Sequence, residues 1–414
     1  MRRISFLLVF IIPALLMAQD ISQMNVKVGG FIKNDMFLDS RKTISAREGH
    51  FLLFPAPISL DPDGNDINAG ANFNFLSIQS RVNVNIAGAK LLNAAVSAKI
   101  EGDFFGQANP NVNLFRLRHA FIKMKWSSTE LLIGQYWIPM FVTDCFPGTV
   151  SFNTGVPFQP FGRSPQIRWT QYFGMAKLMA IVNSQRDYSS RGPNPAAPNT
   201  TLTSSVFLRN SAIPELSLQL HLNPADAILF GFGASYKQIK PQTSTSLGYQ
   251  TDEVISGYNA FAFLRLNFKP VTIKAQGVYG QNIPDVLSIG GIAISDSTDL
   301  ERGFVEYTTL NTLSAWMDIS SNGKKVKVGL FAGYSKNLGA KDEIIGPLYG
   351  LGTSIESMYR VSPRISYQVS KLRFALEGEY TNASYGASYD EYGVPQDLTP
   401  VGNLRLLLSS YFFF

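Results

Sequence analysis

The last fourteen residues, VGNLRLLLSSYFFF over 401–414, constrain the fold more than any other stretch. Leu404, Leu406, Leu408, Phe412 and Phe414 fall on one face at period 2, while Asn403, Arg405 and Ser409 fall on the other, the alternation of a strand held between two different solvents. A soluble domain rarely stops on Tyr-Phe-Phe-Phe, because termini are normally exposed and polar. With lipid on one face and a water-filled lumen on the other, the pattern is that of the closing strand of a transmembrane β-barrel. The competing reading, an edge strand buried in a soluble β protein, leaves the other end of the chain unexplained.

That other end opens Met1-Arg2-Arg3, runs apolar from Ile4 to Met17, and passes Ala18 before the polar Gln19-Asp20. A positive start, a short apolar core and a small residue at the exit predict a secretory signal peptide over 1–18, cleaved after Ala18. No later stretch supplies about twenty uninterrupted apolar residues, which excludes a helical membrane protein. Nothing between 19 and 414 reads as a linker between cores, so these residues form a single barrel domain. The formal charge of +6 falls to +4 once Arg2 and Arg3 leave with the leader, and it is spread too thinly to form a nucleic-acid arm. Cys145 is the sole cysteine; it forms no internal disulfide or Cys-based metal site and reads as a packing residue.

Between the ends, strand-like stretches of about ten residues alternate between tight turns and long polar connections, the rhythm of an outer-membrane barrel. The first strand places Val26, Val28, Ile32, Met36 and Leu38 toward lipid and Lys33 and Asp35 inside. In the second, Leu76, Ile78, Val82, Val84 and Ile86 oppose Gln79, Arg81, Asn83 and Asn85, with the following turn expected at 87–90. The fourth, 112–126, slips register: Phe115 and Leu117 suit one alternation, Ile122 and Met124 the other, so a bulge is expected near His119. Segment 187–201 reads as an exposed loop and 288–299 as another. Later strands place Arg360, Arg364 and Gln368, then Arg373, Glu377 and Glu379, on the inner face. The count is about sixteen antiparallel strands, all-β, with periplasmic N- and C-termini and a lumen too wide for side chains alone to fill.

Lumen chemistry is read from the second to sixth strands, where Arg81, Lys99, Arg116, Arg118 and Arg168 point inward against Glu101 and Asp103. Fixed cations on a low-dielectric wall raise the local concentration of anions, so these residues are candidates for an anion-preferring eyelet. Arginine–carboxylate bracing of the wall is the plainer alternative for each. Segment 142–165, with Asp144, Phe146, Phe152, Phe158 and Phe161, is expected to fold into the lumen as a constriction loop. No cofactor or metal is expected. None of the sequences around His50, His119 and His221 forms the His-x-Ser pair of an envelope phospholipase, and no metalloprotease or phosphate-loop motif occurs, so an enzyme is not expected. A non-transport barrel, an adhesin or structural protein whose loops bind partners, stays open as the alternative function.

Two resemblances sharpen these readings. The aromatic terminus, with Phe412 and Phe414 at alternate positions, resembles the signal read by the barrel-assembly machinery of bacterial outer membranes; Ser410 departs from it, where an apolar residue is usual. IEGDFFG (100–106), FRLRHAFIKMKW (115–126) and LLIGQYWIPMF (131–141) resemble strands three to five of DcaP-like porins, and GGFIKNDMFLDS (29–40) and SPQIRWTQYF (164–173) fit the same family. The resemblance implies a trimeric, sixteen-stranded channel in the bacterial outer membrane for small anionic, dicarboxylate-like solutes. It assigns anion preference to Arg116, Arg118 and Arg168. The periplasmic coiled-coil stretch of the best-known branch has no counterpart in residues 19–25, which weakens the expectation of a homotrimer.

Overall fold

The computed structural model describes residues 24–414 apart from Gln107; the leader expected over 1–18 lies outside the described residues. Sixteen antiparallel strands close into one barrel. β1 is Asn25–Asp39, and β2 runs in two pieces, Asn72–Leu76 and Arg81–Leu91. β3 (Ala94–Asp103), β4 (Arg116–Lys125), β5 (Thr129–Trp137), β6 (Arg163–Phe173) and β7 (Ala176–Asn183) follow. β8 (Glu215–Ala225), β9 (Ile228–Ile239), β10 (Ile255–Asn267) and β11 (Val271–Gln281) continue the wall. β12 (Phe304–Ser321), β13 (Val326–Gly339), β14 (Ile355–Val369), β15 (Leu372–Tyr389) and β16 (Pro395–Phe413) complete it.

β16 pairs with β1 from Phe31↔Phe413 to Asp39↔Arg405, so the barrel seam is hydrogen-bonded. Closure is what lipid demands, since an open edge there leaves N–H and C=O groups without partners. The burial pattern is inside-out for a globular protein. On β13, Val326, Val328 and Leu330 are 48%, 51% and 44% exposed, while the inward Ser335 and Asn337 are buried. On β16, the expected alternation holds throughout: Leu404, Leu406, Leu408, Phe412 and Phe414 are exposed, and Asn403, Arg405 and Ser409 are buried. Such an apolar belt is stable against acyl chains and not against water. Short turns and both described termini share one end of the barrel, and the long connections share the other.

The structure also corrects the sequence reading. β2 breaks at 77–80, where the Lys33 N–H bonds the Ser80 hydroxyl at 3.0 Å. The break resets the alternation, so Ile78 turns inward and Leu76 packs on the interior; Phe73 and Phe75 take the outward places. The following turn is at Leu92–Asn93, both in the left-handed region (φ 47° and 64°), as two-residue hairpin turns require. A bulge between Ala87 and Ala89 occupies the expected turn. The bulge expected on β4 is present: Glu101 faces His119 and Gly102 faces Leu117, so Arg118 and His119 both turn inward.

Candidate functional site

Two inward carboxylates on β3 meet the arginines of β4 across their pairing. Asp103 lies directly opposite Arg116. Arg116 donates from Nε to Asp103 at 3.2 Å. The bulged Arg118 donates from Nε to Glu101 at 2.8 Å and from Nη1 to Asp103 at 2.9 Å. Arg81 stands 3.6 Å from Asp103 and 3.7 Å from Glu101, and Lys99 stands 2.8 Å from Glu101. These six expected lumen residues therefore form one network. Arg168 is elsewhere, bonded to Gln166 and to the Trp137 carbonyl, each at 3.0 Å, and lying over the Tyr136 ring without a carboxylate.

Three members of the network come from outside the expected set. Asp187, in the segment expected to be an exposed loop, is drawn into the lumen and accepts from Arg116 at 2.8 Å and Arg163 at 2.6 Å. Arg47 approaches it at 3.5 Å while lying over the rings of Phe105 and Tyr188. Burial pushes the Asp187 carboxyl up, but the guanidinium groups of Arg116, Arg163 and Arg47 outweigh it and hold its pKa well below the usual carboxylate range. Five guanidinium groups share three carboxylates, so the cluster keeps a positive excess although all its members but the partly buried Arg81 have nearly inaccessible side chains.

The inner loop, 138–162, starts before and ends before the expected 142–165, because residues 163–165 already belong to β6. It crosses the lumen and is held by wall side chains from several strands. Gln219 and Gln276 donate to the carbonyls of Pro139 and Met140 at 2.8 and 3.0 Å. Lys33 donates to the Val150 carbonyl at 2.9 Å, and Glu377 accepts from the Val150 N–H at 2.5 Å. Asn153 donates to Glu379 at 3.0 Å, and Arg360 donates to the Val156 carbonyl at 2.7 Å. Phe152 packs against Phe105 with tilted rings whose centroids are 4.2 Å apart, Phe161 meets Phe51 at 5.3 Å, and Phe158 meets Phe331 at 6.3 Å. Phe146 is half-buried against Phe141, and Asp144 faces Lys177 at 3.5 Å. Cys145 packs with its thiol donating to the Leu264 carbonyl at 3.3 Å; burial pushes that thiol up to about 11, so it stays protonated at neutral pH.

A second inserted element escaped the sequence reading. The hairpin Thr43–Ala46 with Phe51–Pro55 folds inward, and Phe51, Leu52, Leu53 and Phe54 are buried. Arg405 donates to the Gly49 carbonyl at 2.8 Å, Arg360 to the Leu53 carbonyl at 3.0 Å, and the Tyr385 hydroxyl to the Pro55 carbonyl at 2.5 Å. His50 meets Asp35 at 2.7 Å. The run of four apolar residues inside a loop was the available signal.

Toward the short-turn end some cations face no carboxylate within ion-pair distance among the described residues. Among the described residues Lys274 and Arg265 hydrogen-bond only the carbonyls of Phe146 and Asp144, at 3.1 and 3.2 Å. Arg364 is paired with Asp318 at 2.7 Å, whereas Arg373 bonds the Gln368 amide oxygen. Among the described residues no cluster of three His, Cys, Asp or Glu side chains is placed to hold a metal.

No family model matches the chain, and no curated protein does. Solved structures match it over nearly its whole length. The outer-membrane channel DcaP of Acinetobacter baumannii superposes with a TM-score of 0.69 at 14% identity, covering 95% of this chain and 99% of that one. The anion-selective porin of Comamonas acidovorans gives 0.54 at 9% identity, with 94% and 100% covered. The trimer form of OmpT from Vibrio cholerae gives 0.54 at 11%, with 94% and 99% covered. At these identities the likeness is one of fold: this chain has the fold of the outer-membrane porins, as its strand motifs and terminal alternation led one to expect.

Proposed function

We propose that the barrel is a porin of the bacterial outer membrane, a non-enzymatic passive channel for small hydrophilic solutes that prefers anions of the dicarboxylate type. The short turns and termini face the periplasm, and the assembled form is a homotrimer in outer-membrane lipid. The observation that carries this reading is the surplus of guanidinium over carboxylate on the lumen wall, from the Arg47–Arg81–Arg116–Arg118–Arg163 network to the unpaired Arg168. At an effective dielectric between water and protein, a unit charge a few ångströms away is worth about 1–4 kcal/mol to a passing ion, enough to set selectivity. A passage of this kind admits anions by lowering their entry barrier and needs no chemistry. Planar-bilayer recording under a potassium chloride gradient tests it: the reversal potential should indicate anion preference, and a cation-preferring channel would overturn it.

A second reading draws on the water-excluded aromatic packing of Phe51, Phe105, Phe152 and Phe161 in the lumen, which suits a barrel whose loops bind partners and whose interior is structural. Assembled protein that carries no ionic current in the same bilayers would favour it.

A further inference from the structure

We propose that the short-turn mouth of the lumen contains a discrete site for a small, multiply charged oxyanion of the phosphate type, built by Lys327, Arg373, Ser320 and Ser366. It rests on the channel reading only in that the cavity opens on the same lumen. A cavity of about 240 Å³ lies between residues 148–150 of the inner loop and the inner faces of β12–β16. Three cationic side chains line it, Lys327, Arg364 and Arg373, and no carboxylate does.

The three cations differ in what they have left to give. Arg364 is spent on Asp318, at 2.7 Å and 2.9 Å, and is wedged between two glycines. A Cβ on Gly329 would fall 2.5 Å from its Cζ, and one on Gly148 would fall 2.8 Å from Nη2, so this ion pair is fixed framework. Arg373 is aimed rather than neutralised. Its Nε and Nη2 donate to the Gln368 amide oxygen at 3.1 and 2.8 Å, and its guanidinium lies over the Phe413 ring at 4.9 Å, while Nη1 has no hydrogen bond among the described residues. Lys327 has neither hydrogen bond nor ion pair there, and it stands directly opposite Ser366 in the β13–β14 pairing. The hydroxyls of Ser320 and Ser366 likewise have no hydrogen bond among the described residues, so the site offers two charges without an ion pair and two hydroxyl donors to one occupant.

Such a set suits an oxyanion with several acceptor oxygens and more than one charge, since each guanidinium or ammonium bond to an ionised oxygen is about twice as strong as a neutral one. A second cavity, of about 260 Å³, supplies the contrast. Lys177 and Arg265 line it, but so does Asp144, which stands 3.5 Å from Lys177 and answers its charge within the protein.

The test is the line width of the phosphorus resonance of inorganic phosphate, titrated against the full barrel folded in detergent. Wild type should broaden it saturably. The double variant Lys327→Gln with Arg373→Gln should weaken the interaction roughly tenfold or more, and Lys177→Gln should leave it unchanged, each variant being checked for the heat-modifiable folded band. No saturable broadening by wild type, or equal broadening by the double variant, overturns the site. Bilayer recording separates the two readings: anion current without phosphate broadening removes the site and leaves the channel, whereas the full broadening pattern without current removes the channel and leaves the site.

Discussion

Arg116 and Asp187 meet at 2.8 Å across the lumen wall, the first fixed on β4 and the second carried in by the connection after β7. That contact joins the barrel to a loop through a buried carboxylate which also holds Arg163 and Arg47. Asp187→Asn should therefore leave three buried guanidinium groups with one anion fewer. Removing one partner of a buried ion pair costs about 3–5 kcal/mol, so the urea midpoint of the folded barrel should fall measurably. The carboxyl is held below its unfolded value of about 3.9, so its contribution is complete above that pH and is lost as pH falls through the depressed folded value. Acid unfolding of wild type should thus begin below about pH 4 from this group, and the variant should lack that component.

Arg168 offers a cleaner test of selectivity than Arg116. Among the described residues no carboxylate lies within ion-pair distance of it, although the charge of Glu130 reaches it, so reversing its charge breaks no direct ion pair, whereas Arg116→Glu would place a third acid beside Asp103 and Asp187. Arg168→Glu should weaken or invert anion preference severalfold in dilute salt. Because screening acts over about 8 Å at physiological ionic strength, the difference should fade as salt rises. A reversal potential indifferent to this change would show that the permeation path avoids β6.

Conductance should be limited by the two inserted elements together. Glu377 and Glu379 fasten the inner loop at Val150 and Asn153, and Arg360 fastens both that loop and the hairpin through the carbonyls of Val156 and Leu53. Deleting residues 151–158 should raise single-channel conductance, and deleting the hairpin 43–55 as well should raise it further. Intact assembly with unchanged conductance in both would exclude them as the constriction.

The strands were legible because a wall between lipid and lumen writes its period directly into the chain; the alternation over 404–414 needed no partner to be read. Even the β4 bulge was visible, since Arg118 and His119 are where two registers collide. What stayed hidden depends on how loops fold back. Arg47, Arg163 and Asp187 lie at strand ends or in connections, where period 2 says nothing about facing, and Ile78 sits in a strand break that resets the count. The basic short-turn mouth was missed for another reason. Lys327 and Arg373 follow the alternation, but they sit on β13 and β15, on either side of β14, and only the register of those two pairings and the inner loop folded against them enclose one cavity.

His50, in the inserted hairpin, gives a pH prediction near neutrality. Its burial disfavours the imidazolium and outweighs the attraction of Asp35, so its pKa lies below the ordinary value. The unfolded chain then binds a proton more readily than the folded one, and stability must fall as pH drops below the unfolded value of about 6.5. The thermal midpoint of the folded band should decline as pH falls below about 6.5, and His50→Gln should flatten that decline. An equal slope in the variant would assign it to other groups.

The seam where the barrel closes carries the last prediction. Gly30 and Phe414 exchange two backbone hydrogen bonds, Gly30 N–H to the Phe414 carbonyl at 3.3 Å and Phe414 N–H to the Gly30 carbonyl at 3.2 Å. A Cβ on Gly30 would fall 2.1 Å from the Arg81 carbonyl oxygen and 2.9 Å from the Phe414 ring, because β1 is hemmed by β2 on one side and the chain end on the other. Gly30→Val should therefore obstruct closure itself, whereas deleting Phe414 removes two bonds and an outward aromatic ring but leaves the remaining β1–β16 pairs in place. The fraction of heat-modifiable barrel recovered from outer membranes should fall in both, further in Gly30→Val. If Gly30→Val assembles as well as wild type, β1 and β16 do not meet as described; if only the Phe414 deletion fails, the terminal ring acts in recognition by the assembly machinery rather than in the seam.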